Sequence, residues 1–85
     1  MLDAAGHVTQ INLYSNNLSG KVPAEINTLP DLQTINLESN QISRIDTGAF
    51  SGLNYLRTIT LDGNQISTID EHTFDGLSGL KNLDL

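Results

Sequence analysis

Asparagines stand at positions 16, 40 and 64, each 24 residues from the next, and the residues around them repeat with the same spacing. Leu32 to Ile42 reads LQTINLESNQI, Leu56 to Ile66 reads LRTITLDGNQI and Val8 to Leu18 reads VTQINLYSNNL, while Leu80 to Leu85 opens a further copy with LKNLDL. No insertion or deletion breaks the spacing. A chain that repeats one short unit in this way stacks copies of a coil side by side, so the repeat predicts a solenoid rather than a globule around one central core. The units are 8–31, 32–55 and 56–79, with a partial unit at 80–85 and a short flank at 1–7.

Each unit begins with a period-two pattern. Ile11 and Leu13 alternate with Gln10, Asn12 and Tyr14, and the same alternation returns at Ile35 and Leu37 and at Ile59 and Leu61, as expected of half-buried strands. The tails differ. In the first unit Val22 holds the fifteenth place and precedes Pro23, which predicts an extended or short 3₁₀ return path, whereas Ile45 and Ile69 hold the fourteenth place in the next two. Phe50 and Phe74 stand where the first unit has Ile26, and Gly52 and Gly76 form a column where the backbone turns back toward the next strand. The seven apolar side chains of a single unit cannot offset the entropy of ordering its backbone, so each coil depends on its neighbours.

The pattern LxxLxLxxNxL, matched by Leu32, Ile35, Leu37, Asn40 and Ile42 and by their counterparts in the first and third units, resembles the leucine-rich repeat family over about residues 8 to 85. The tail NNLSGKVPAEINTLP is similar to the plant-type subclass, and NQISRIDTGAFSGL and NQISTIDEHTFDGL to the typical subclass. The resemblance implies an α/β-type solenoid: a short right-handed stack with a parallel β-sheet of about four strands on the concave face, and loops or 3₁₀ turns on the convex face. It also implies that Asn16, Asn40 and Asn64 form a structural asparagine ladder, their amides serving backbone groups that have left the strands. Ser19, Ser43 and Ser67 form another column, for which local side-chain to backbone bonding is expected.

Binding in such proteins falls to the outward strand positions. Here they are Gln10, Thr34 and Thr58, then Asn12, Asn36 and Thr60, then Tyr14, Glu38 and Asp62. Most are short polar residues whose presence on a strand needs no function. Tyr14 is the exception, an outward aromatic beside carboxylates. The incomplete unit exposes apolar residues with nothing following to cover them, so Leu80, Leu83 and Leu85 are candidates for self-association of the chain through its C-terminal edge.

Other chemistry finds little support. A net charge of −6, with only four Lys and Arg residues, opposes nucleic acid or an anionic membrane as partner. The absence of cysteine removes disulfides, thiolate metal sites and a cysteine nucleophile. His72, beside Asp70 and Glu71, lacks the spacing of a metal site, and Asp62-Gly63-Asn64 lacks the further ligands of a calcium loop. No cofactor is expected, and no serine, histidine and acid are brought together by the repeat. No basic and apolar leader follows Met1, and no run approaches the ~20 apolar residues of a membrane span, so neither a signal peptide nor membrane insertion is expected. Asn17-Leu18-Ser19 fits the glycosylation pattern, though these residues also belong to the plant-type tail.

The leading expectation is a non-enzymatic protein- or peptide-binding module, receptor-like by resemblance. The alternative is a self-associating scaffold fragment, and a third reading, enzyme inhibition, rests on family analogy. The resemblance implies an extracellular location if the chain is cut from a longer protein, and a cytoplasmic one follows if it is complete.

Overall fold

The computed structural model describes residues 4–67, 69 and 72–84. Six short strands and one 3₁₀ turn follow one another: β1 (Gln10–Asn12), β2 (Ser19–Val22), the 3₁₀ turn Ala24–Thr28, β3 (Thr34–Asn36), β4 (Gln41–Ile45), β5 (Thr58–Thr60) and β6 (Asn82–Asp84). They form two sheets. The larger has four parallel strands in the order β1-β3-β5-β6, and the smaller pairs β2 with β4. The chain is a β-solenoid of parallel strands with almost no helix, as the repeat requires, and each step between neighbours in the four-stranded sheet is 24 residues: Ile11 beside Ile35, Ile35 beside Ile59, Ile59 beside Leu83.

A shared carbonyl starts each of these strands. Thr9 O accepts from both Gln33 N (2.7 Å) and Thr34 N (3.2 Å), Gln33 O accepts from Arg57 N and Thr58 N, and Arg57 O accepts from Lys81 N and Asn82 N. The second place of each unit is therefore left outside the alternation, which is why two residues separate the buried Leu56 from the buried Ile59.

The smaller sheet corrects two expectations. The tail of the first unit is a strand in its own right from Ser19 to Val22, and the 3₁₀ turn begins only after Pro23. Its pairing with β4 slips by one residue: Ser19 and Gly20 face Gln41 and Ile42, whereas Lys21 and Val22 face Arg44 and Ile45. Ser43 is the extra residue of this bulge. Its hydroxyl donates to Gly20 O of the preceding coil at 3.0 Å, so the bond expected to be local instead joins two coils. The slip brings Val22 of the fifteenth place level with Ile45 of the fourteenth and buries both.

The core lies between the sheets and the return turns. Leu32, Ile35, Phe50, Leu53, Leu56 and Ile59 are fully buried, and the Phe50 and Phe74 rings stack at 5.8 Å and 14°. Gly52 and Gly76 hold the return turns at φ +76° and +75°, where a β-carbon would be strained. The outer coils are less covered: inward-facing Leu13 is 43% exposed and borders, with Leu18, Val22, Ile26 and Leu37, an apolar cleft of about 220 Å³. Lys21 and Asp46 tie the first two coils together at 2.9 Å on the smaller sheet's side. That hydrogen bond holds the Asp46 carboxyl below its usual value; burial opposes the shift, and the Ala24 N–H reinforces it.

Candidate functional site

The turn after each strand fixes the outward surface. Beyond β1 and β3 the ladder continues, with Ser15 N donating to Glu38 O and Ser39 N to Asp62 O, both at 2.9 Å. Ser15 and Ser39 then take positive φ (54° and 57°), and Gly63 follows in the same column at 73°. This reversal carries the chain to the asparagines.

Asn40 is buried and makes five hydrogen bonds through its side chain. Its Oδ1 accepts from Asn16 N (2.9 Å) and Leu18 N (3.0 Å) of the preceding coil. Its Nδ2 donates to Leu13 O and Leu37 O (3.0 Å each) and Glu38 O (3.2 Å). Asn64 repeats the arrangement, accepting from Ile42 N at 3.0 Å and donating to Leu37 O, Leu61 O and Asp62 O. Asn16 is exposed, and its amide reaches only Tyr14 O, at 2.9 Å. The amides of Asn40 and Asn64 are thus occupied with backbone and turned away from any ligand.

With the turns held, the outward residues lie in rows across the four-stranded sheet. Gln10, Thr34, Thr58 and Asn82 are partners in register, as are Asn12, Asn36, Thr60 and Asp84. Tyr14, Glu38 and Asp62 form the third row at the far end of the strands; Tyr14 is 55% exposed and the two carboxylates are half-buried. One residue of the face is partly committed, because Asn36 Oδ1 accepts from Glu38 N at 3.1 Å. At the opposite end, Arg57 and Lys81 are exposed at the second place of their units. Alternation overlooks that place, since the shared carbonyl puts it out of phase; reading the Thr9, Gln33, Arg57 and Lys81 column would have found them.

The self-association candidates divide. Leu80 is half-buried against the core, Leu83 on the last strand is 37% exposed, and Leu85 lies outside the described residues. Elsewhere His72 and Asp75 meet at 2.7 Å beside a cleft of about 250 Å³ bordered also by Thr47, Ser51 and Thr73. Asp70 and Glu71, flanking that histidine in sequence, are outside the described residues. Among the described residues no group of three histidine or acidic side chains could hold a metal ion, and no helix is long and apolar enough to cross a membrane.

A family model described as Leucine rich repeat matches residues 30–85, and a second with the same description matches residues 7–29. No curated protein matches the chain. The matched residues take in most of the sequence, including every strand of the larger sheet, and the chain belongs to the leucine-rich repeat family.

Proposed function

We propose that this chain is a non-enzymatic protein-binding module whose contact surface is the outward face of the four-stranded sheet. Leucine-rich repeats are in general protein-binding repeats. What supports the choice of face is the division of labour within each unit: the asparagines and apolar residues are spent on the stack, while Gln10, Asn12, Tyr14, Thr34, Glu38, Thr58, Thr60 and Asp62 stand in rows on a backbone that every neighbouring coil holds rigid. No reacting group is placed with a base and an oxyanion site, as an enzyme would need. Receptor-like recognition outside the cell is part of the same reading.

The exposure of Leu83 on the edge strand favours a second reading, in which copies associate through that edge. One pair of variants separates the two. Charge reversal at Glu38 and Asp62 should abolish capture of a partner from lysate and leave the sedimentation coefficient unchanged; Leu83→Lys should leave capture intact. If Leu83→Lys dissolves an oligomer and capture disappears with it, the scaffold reading replaces the first.

A further inference from the structure

We infer that the sheet face takes an extended peptide segment laid along the strands, with a cationic side chain at one end and an anionic one about five residues away. The inference rests on the reading of that face as the binding surface and adds the chemistry of its occupant.

The face is electrically two-ended. Arg57 and Lys81 are exposed where the strands begin, and Glu38, Asp62 and Asp84 gather where they end. Thr34, Thr58, Asn36 and Thr60 between them are neutral. Among the described residues none of these five charged side chains makes an ion pair, whereas Lys21, on the smaller sheet, is matched with Asp46. Arg57 and Asp62 belong to one unit and are five residues apart, or about 16 Å along an extended chain. An occupant that is itself extended spans that distance with the same number of residues.

The acidic end offers more than charge. Tyr14 is exposed in the row next to Glu38, so a guanidinium could lie over the ring and bond the carboxylate in one pose. The area limits the occupant. Four strands at ~4.8 Å spacing and about 16 Å of strand give a patch on the order of 300 Å², against ~800 Å² per partner for a stable interface between folded proteins. A second copy of this chain seated on the face falls short by the same measure; a peptide segment does not need that area.

The test uses two labelled, end-capped peptides of one composition, rich in threonine and serine. One has arginine and glutamate five places apart, and the other has them adjacent. Fluorescence anisotropy at low ionic strength should show the separated peptide binding more tightly. E38K/D62K and R57E/K81E should each weaken it about three- to tenfold, the scale of two exposed ion pairs. Combining all four reversals should restore binding, because an inverted face accepts the same peptide in the opposite direction. Equal affinity for both peptides, no binding of the separated one, or a fourfold variant as weak as the double variants would overturn the inference. Amide NMR shifts distinguish its failure from that of the underlying reading. Shifts at Thr34, Thr58 and Thr60 with no dependence on charge layout sink the inference alone, and shifts confined to other surfaces sink the choice of face with it.

Discussion

Replacing Asn40 with alanine removes more hydrogen bonding than any other single truncation of the turn. The amide has two donor hydrogens and one acceptor oxygen, so of its five contacts about four are simultaneously full bonds. At a net ~1 kcal/mol per bond the loss would be about 4 kcal/mol. The first coil is half open to solvent at Asn16 and Leu18, so water can take over part of what the oxygen supplied, and the expected cost is about 2–4 kcal/mol. In a domain of this size that lowers the melting temperature by roughly 10–25 °C. Asn64→Ala should cost less, since one backbone N–H rather than two depends on its oxygen. Asn16→Ala should cost under ~1 kcal/mol, because its one bond is to Tyr14 O on an exposed turn. Urea titration followed by circular dichroism measures all three, and hydrogen exchange at the Asn16 and Leu18 amides reports whether the damage is local. Equal losses for Asn16→Ala and Asn40→Ala would refute the reasoning, since sequence periodicity alone treats the two as equivalent.

Three further outcomes follow from single contacts. The Asp46 carboxyl is depressed by Lys21, so the pair stabilises the fold fully above the ordinary carboxylate pKa and ceases to as the pH falls through the depressed value; Lys21→Met should flatten that part of a urea midpoint against pH curve. Gly63→Ala should cost about 2–3 kcal/mol by denaturant titration, because a β-carbon there meets Ser39 backbone atoms at 3.2 Å as well as adopting positive φ, whereas Gly52→Ala, with open space around it, should cost only ~1 kcal/mol. Phe50→Ala, at a fully buried site, should lose about 3–5 kcal/mol, and Phe74→Ala less because that ring is half-buried, with thermal melts giving the order.

The larger sheet is legible in the sequence because its signal is repeated: Ile35, Ile59 and Leu83 occupy one place in each unit, and the pairing follows that spacing. The smaller sheet is not legible for the opposite reason. Its two strands come from tails of different type, its offset changes from 22 to 23 residues at the Ser43 bulge, and no column of like residues marks it. Burial is likewise half legible. Alternation assigns Leu13 and Leu37 the same inward place, yet Leu37 is buried and Leu13 is 43% exposed, because cover depends on having a coil on both sides. Of the candidate site, the rows from Gln10 to Asp62 follow from alternation, while Arg57 and Lys81 escape it because they sit at the shared-carbonyl step. A side chain's commitment to backbone, as at Asn36, depends on turn geometry that composition does not express.

The slipped pairing at Ser43 has a consequence for descent by duplication. Unequal exchange between the second and third units would splice like to like, lengthening or shortening the array by whole turns with the same contacts re-formed at the join. An exchange that placed the first unit's tail elsewhere would carry with it a strand one residue out of phase, and its new neighbour would need its own bulge to receive it. The array is therefore free to grow at one of its joints and constrained at the other.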